Sequence, residues 1–461
     1  MTRGWWLAAA VLVLPSGVAR AQTAAAPALT LSEAMQLAVQ HYPAVRESQA
    51  RAQAAAEGIG VAETAYLPKL DLVWQETRAT HNNVFGLVLP QPVLPAISGP
   101  VLGTRSMDSV WGSAAGALLS WDAIDFGQRK AAVDVARAQT TQASARRELT
   151  ELDVAAAAAD AFLSALAADD AVRAAQANVD RLQVLVQSVR SLVANQLRPG
   201  VDESRANAEI AIARNQLSQA IQTAQLARAT LGGLIGRPDE TLDLAIGRLA
   251  EAPSADAVPG VDAKAHPALR VSLAQIAVVE AREQVLDRAY RPRVTLQAAL
   301  FGRGSGAEVP GQPSLGNGLW LQVPNWALGA TVAFPAFDLF PLRARKQLEA
   351  QNLLAEKAHY DQTLTDLATQ GARARAVLKA ATDIAANTPI ERQAAAEAET
   401  RARARYDSGL ATITEVADAT RVLAQAEADD AIARLGVWRA LLAVAQVHGD
   451  LTPFINRLIA P

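Results

Sequence analysis

The chain carries two kinds of hydrophobic pattern and switches between them at two near-identical places. Residues 65–72 read AYLPKLDL and residues 289–296 read AYRPRVTL. Ahead of the first switch, residues 31–65 are rich in Ala, Glu, Gln and Arg, with Ser32 and Glu33 marking a start, and read as one helix ending near Tyr66. Pro68 cannot continue that helix, and Leu70, Leu72 and Trp74 then alternate with Asp71, Val73 and Gln75, the period-two pattern of a strand with one apolar face. The octapeptides are therefore helix-to-strand junctions. The same offset of 224 residues pairs Pro43 with Pro267 and aligns 41–72 with 265–296 without a gap, so the chain is a tandem duplication.

Each half predicts one hairpin, with strands near 68–78 and 110–121 in the first and near 292–302 and 326–335 in the second. Prolines and glycines crowd residues 79–109 and 302–318, which suits exposed loops. In VWGSAAGALLSW one face carries Trp111, Ser113, Ala115, Ala117, Leu119 and Trp121, a small apolar stripe with a tryptophan at each end. In the second half Trp326, Leu328, Ala330, Val332 and Phe334 form the matching stripe. Ten residues rising about 3.3 Å each and tilted about 45° cover roughly 23 Å, close to the apolar band of an outer-membrane barrel between its two aromatic girdles. Four strands cannot close, and an open sheet in lipid leaves costly unpaired backbone groups along both edges. Either the sheet is soluble or several chains pool their hairpins; three would supply twelve strands.

The helical segments favour pooling. Residues 128–198 contain no glycine or proline, and an unbroken helix of that length runs roughly 105 Å. Near its end Val172, Ala175, Val179, Leu182, Val186, Val189 and Val193 follow 3-4 spacing, which resumes after Arg198-Pro199-Gly200 from Ala206 to Leu231, predicting an antiparallel coiled-coil hairpin. A second hairpin is expected over 342–407 and 411–435, turning at Ser408-Gly409-Leu410. Gly371 and Pro389 interrupt its ascending arm, and a kink is expected at Pro389. Residues 237–262 read as a connector lying against the helices, between a first repeat of 22–236 and a second of 263–461.

Composition narrows the class. Residues 1–21 carry Arg3, an apolar run and the triplet Ala19-Arg20-Ala21, the pattern of a cleaved signal peptide. The chain has no cysteine, which excludes disulfides and a lipid-modified cysteine. The net charge is -3, or -5 once Arg3 and Arg20 are removed, with no basic run to suggest nucleic acid. The five histidines are scattered without an i,i+4 pair, so neither a metal nor a catalytic site is expected. GRGSG at 302–306 lacks nucleotide-fingerprint spacing, so no cofactor is expected either.

Together these features resemble the TolC-like outer-membrane efflux family. The resemblance covers essentially the whole chain after the signal segment. It is carried by LTLSEAMQLAVQHYPAVRESQA, by YLP and YRP before the strands, by SWDAIDFG and AFPAFDLF after them, and most specifically by RYDSGLATITEVADAT at the second turn. It implies a mainly α fold with a small β part, in which a homotrimer builds a twelve-stranded outer-membrane β-barrel continued by an α-barrel of long paired helices. It further implies a Gram-negative outer membrane with a long periplasmic extension and contact with outer-membrane lipid. The implied partners are a periplasmic membrane-fusion adaptor and an inner-membrane pump of RND, ABC or MFS type. The implied role is a passive, non-enzymatic exit duct for small molecules such as drugs and toxic compounds. A trimeric surface coiled coil or adhesin with a short barrel anchor is the rival reading; recurrence of hairpins in both halves favours the duct.

The resemblance also assigns roles by position. Glu415 and Asp418 match acidic residues that constrict the pore at the periplasmic tip, where rings of like charge attract cations. Tyr406 and Asp202 match two members of a closed-state latch between neighbouring subunits, whereas Ala411 stands where that latch has an arginine, so a weaker latch or a different contact is expected. Leu197, Gly409 and Leu410 match the adaptor-contact tip. Trp111, Trp121, Trp326 and Phe334 would form the membrane girdle. Asp122 in place of a proline, and Phe340-Pro341 in place of a glycine pair, make the strand-to-helix junctions unusual. Read without the resemblance, Glu415 and Asp418 are a solvated helix face and Tyr406 a packed ring.

Overall fold

The computed structural model describes residues 28–80, 108–253, 265–306, 317–335 and 338–459. The signal segment, most of the first loop, residues 307–316 of the second and 254–262 of the connector lie outside the described residues.

The first helical stretch is two helices, not one. α1 (Leu31–His41) is opened by Thr30 rather than Ser32: the Thr30 hydroxyl accepts the Glu33 amide at 3.2 Å while the Glu33 carboxylate accepts the Thr30 amide at 2.9 Å. Tyr42 is extended and Pro43 starts α2 (Pro43–Glu63), because proline fits the first helical position but not a helix interior. The chain then enters β1 (Lys69–Thr80) and β2 (Ser109–Ile124), followed by α3 (Gln128–Ala194) and α4 (Gly200–Ile235). The second half repeats the order with α5 (Pro267–Arg288), β3 (Arg293–Ser305), β4 (Val323–Ala333), α6 (Leu339–Asp407) and α7 (Ile413–His448), and ends in α8 (Thr452–Ile459). α6 runs unbroken through Gly371 and Pro389, contrary to the expected interruption. Proline removes one hydrogen bond, which the long helical runs on either side outlast.

The four strands form one antiparallel sheet in the order β1-β2-β3-β4, which leaves β1 and β4 as its two edges. A register shift between Asp122 and Ile124 marks a bulge where β2 leaves the sheet, and Asp122 accepts a 2.6 Å bond from the Thr295 hydroxyl across it. Gly116 lies opposite Phe301, whose Cβ would meet a Gly116 side chain at 2.4 Å, so glycine there is a steric requirement of the register.

The long helices pack as two hairpins, α3 with α4 and α6 with α7. Their main core is a belt midway along: Leu152–Leu166 of α3, Leu231 and Ile235 of α4, and the last third of α7, wrapped by α1, the connector and α8. Leu29 pairs with Leu244 of the connector, and Trp438 meets Phe454 of α8 edge-on while donating to the Glu251 carbonyl at 3.0 Å. The two repeats are joined along α3 and α7 by a series of ion pairs: Asp160 with Arg439 at 2.7 Å, Asp170 with Arg434 at 3.0 Å, and Glu427 with Arg181 at 2.8 Å. No described helix is long and apolar enough to cross a membrane.

His266 holds the start of the second repeat. Its Nδ1 accepts the Ala268 amide at 3.1 Å, capping α5, and its Nε2 donates to the Gln446 carbonyl of α7 at 3.2 Å. Burial lowers its pKa below the ordinary value of about 6.5, outweighing the Gln446 carbonyl and the Asp153 charge. A depressed folded-state value means the neutral ring contributes stability that is present above the unfolded pKa and is lost as pH falls through the folded one. The thermal midpoint, followed by circular dichroism from pH 7.5 to 5, should therefore fall with acid. His266→Asn, which keeps a capping side chain, should flatten that part of the slope.

Candidate functional site

Two regions bring the candidate residues together. The first is the sheet. Register places Leu72, Ala117, Leu300 and Trp326 side by side on one face, together with Leu70, Trp74, Trp111, Trp121, Leu296, Leu328 and Val332. That face is bare: Leu72 is 80% exposed, Trp326 74% and Leu328 74%. The opposite face carries Asp71, Gln75, Thr77, Ser120, Gln297, Arg303, Asn325 and Thr331 around a small cluster of Ala114, Leu118, Ala299 and Phe301. A contiguous exposed apolar surface of this kind marks contact with lipid or with another protein. Trp111 lies under the Arg78 guanidinium at 5.3 Å, and Trp121 donates to the Tyr66 carbonyl at 2.9 Å, so each is anchored at its strand end. Trp326 and Phe334 lie on the same face and are displaced along the sheet in one sense relative to Trp111 and Trp121, the stagger that tilted strands require.

The second region is the pair of helical turns at the opposite end. They are built alike. In the α3–α4 turn the Leu197 amide bonds to the Leu192 carbonyl at 2.9 Å and the Gln196 amide to Val193 at 3.0 Å; in the α6–α7 turn Leu410 bonds to Arg405 at 2.8 Å and Gly409 to Tyr406 at 2.9 Å. Each is a helix-ending motif with one left-handed residue, Gln196 at φ 58° and Gly409 at φ 78°. Gln196 thus takes the conformation for which glycine is the ordinary choice, and the leucine after it occupies the same place in both turns. Leu197 is 68% exposed and Leu410 71%.

Superposing the turns by this motif pairs Arg198 with Ala411, a correspondence that sequence reading missed. Arg198 donates to the Tyr406 carbonyl at 2.6 Å and stacks over the Tyr406 ring at 4.4 Å. The arginine absent from position 411 is therefore supplied by the other turn. Tyr406 is fully buried among Val189, Ala206, Ile413 and Val416. Its hydroxyl lies 3.5 Å from Asp202 of the same chain, a long contact, and burial together with the Asp202 charge raises its pKa. Glu415 closes a capping box with Thr412 at the start of α7 and sits 3.9 Å from Arg405. Asp418 is exposed and pairs with Arg421 at 3.2 Å. Both acids face solvent in the single chain. Among the described residues no cluster of His, Asp or Glu forms a metal site.

Residues 34–237 match the family model described as outer membrane efflux protein. The chain is 28% identical over 362 residues to protein CyaE of Bordetella pertussis, covering 77% of this chain and 70% of that protein. It is 27% identical over 246 residues to the pyoverdine export outer membrane protein OpmQ of Pseudomonas aeruginosa, covering 53% of this chain and 50% of that one. Among solved structures, the Vibrio cholerae outer membrane protein VceC aligns with a TM-score of 0.70 at 18% identity, over 91% of this chain and 96% of that one. The Campylobacter jejuni CmeC outer membrane channel aligns at 0.71 and 15%, over 91% and 85%. At these identities the structural likeness is one of fold.

The paired turns make opposite predictions for two substitutions. Gln196→Gly should relieve a left-handed side chain and stabilise the first turn by about 0.5–1 kcal/mol, whereas Gly409→Ala should cost the second about 1 kcal/mol. Hydrogen exchange of the turn amides should slow in the first variant and quicken in the second.

Proposed function

Because the chain belongs to the outer membrane efflux protein family, we propose that it is the outer-membrane duct of a tripartite export system. The observation that carries the reading is a sheet of only four strands, open at both edges and apolar across one whole face, set on helices about 100 Å long. In water that face and those edges are liabilities; in a bilayer the edges must be paired. Three copies joined β4 to β1 satisfy both, giving a closed barrel with the polar face turned to an aqueous lumen and the apolar face to lipid. The helical hairpins then line a conduit across the periplasm. An inner-membrane pump and a periplasmic adaptor supply the cargo, with the exposed Leu197, Gly409 and Leu410 as the adaptor contact. The name of the Pseudomonas relative, an exporter of pyoverdine, supports a small-molecule cargo.

Gating in this reading is the parting of the second hairpin from the first at the tip, with no bond made or broken. The latch is rebuilt around Arg198: a charge-assisted bond to the Tyr406 carbonyl and a cation–π contact hold the two hairpins of one chain together. Asp202 and Tyr406 are its weaker partners. Glu415 and Asp418 form the constriction, with Glu415 also capping α7.

Conductance of the purified protein in planar bilayers tests the duct; a protein that inserts without any ion current would be the surface anchor instead. Within the duct reading, Arg198→Ala should raise the closed-state current several-fold. Tyr406→Phe should raise it less, since it removes only the 3.5 Å contact. Glu415→Gln with Asp418→Asn should lower cation selectivity without loss of thermal stability, because glutamine also serves in a capping box.

A further inference from the structure

The two repeats meet the membrane edge through equivalent strand-to-helix junctions, and only one of them is sealed. In the first, Asp125 caps α3 by accepting the Gly127 amide at 3.1 Å and the Arg129 amide at 2.6 Å. Arg129 then fills the junction, paired with Asp125 at 2.9 Å, stacked on the Tyr66 ring at 4.7 Å, and donating to the Ala65 and Ala123 carbonyls. Burial would raise the Asp125 pKa, but these amide and guanidinium partners hold it below the usual carboxylate range. Shifting by 213 residues, the offset that also relates the two tip turns, brings Asp125 onto Asp338 and Arg129 onto Leu342. Asp338 makes no side-chain cap on α6, and Leu342 cannot reach back as Arg129 does.

What remains is a cavity of about 480 Å³ beside Phe334, lined by Arg291, Arg293, Arg345 and the N-terminal turn of α6. Arg291 spends one donor on the Phe126 carbonyl at 3.1 Å. Among the described residues neither Arg293 nor Arg345 has an ion-pair partner, and Asp338 is the one acid in the lining. Three guanidiniums, the positive end of a helix and a single carboxylate give the cavity a net positive charge and unused donors in the geometry that suits a tetrahedral oxyanion.

The geometry points to a binding site for the phosphate group of an anionic phospholipid. Phe334 belongs to the outward apolar face, so the cavity opens where the hydrocarbon band ends and headgroups begin; the acyl chains lie along Val332 and Leu328. The inference deepens the membrane-duct reading and rests on it for the source of the phosphate, while the cavity itself does not depend on that reading.

The full-length protein purified in detergent, exposed to phosphatidylglycerol and followed by native mass spectrometry, tests it. Wild type should retain the lipid, and the Arg293→Gln/Arg345→Gln double variant should retain at least about tenfold less; both side chains are exposed, so folding is not at stake. Arg343→Gln, on the same helix but outside the cavity, should bind as wild type does. Equal retention by wild type and double variant would overturn the site. Displacement of the lipid by inorganic phosphate at equal concentration would overturn the lipid as its ligand. Bilayer conductance, measured on the same preparations, reports separately on the duct, so a failed lipid site and a failed channel are told apart.

Discussion

Backbone amides and carbonyls at a sheet edge need partners, and a hydrocarbon medium supplies none. This chain presents two such edges, on β1 and β4, at either side of a sheet whose outer face is almost wholly apolar. No rearrangement within the chain closes them, since four strands are too few to curl into a barrel. The remaining features are consistent with that shortage being met by further copies. The long hairpins give repeated contact along the same direction, their alanine-rich seams allow close approach, and the polar inner face of the sheet waits for a lumen to line.

Duplication supplies the repeated parts, and divergence between the copies supplies the chemistry. Between the repeats, α3 and α7 are joined by ion pairs at Asp160, Asp170 and Arg181, all lying between the belt core and the tip cluster or within the belt. Closer to the turns the link is a single arginine, Arg198, resting on Tyr406. Its counterpart in the second turn is alanine. A guanidinium has thus moved from one copy of a motif to the other while keeping its function as a clamp on the same tyrosine. The connecting ion pairs are partly exposed, so each contributes modestly and geometry, more than energy, is what they fix.

Much of this was legible in the residues. Period-two alternation found all four strands, because each has one apolar face; the absence of glycine and proline found α3; and the tandem offset found the duplication. The failures have local causes. Pro43 was read through because the composition on both sides is helical, although a proline at a first helical position is itself a start signal. Pro389 was read as a break because sequence shows the lost hydrogen bond and not the helix on either side that tolerates it. Arg198 escaped notice because its partner is 208 residues away and its pairing with Ala411 emerges only when both turns are seen to share one backbone motif. Glu415 was legible as an acid in a family position, but its capping bond to Thr412 was not drawn from the Thr-x-x-Glu spacing that announces it.

The unequal junctions have a geometric consequence for any assembly of three. Going around such a ring at the level of Phe126 and Phe334, one meets six places where a strand becomes a helix, and they alternate: plugged by an internal arginine, then vacant, then plugged again. The collar therefore looks sixfold in its backbone and is only threefold in its charge, with positive sockets spaced a third of a turn apart.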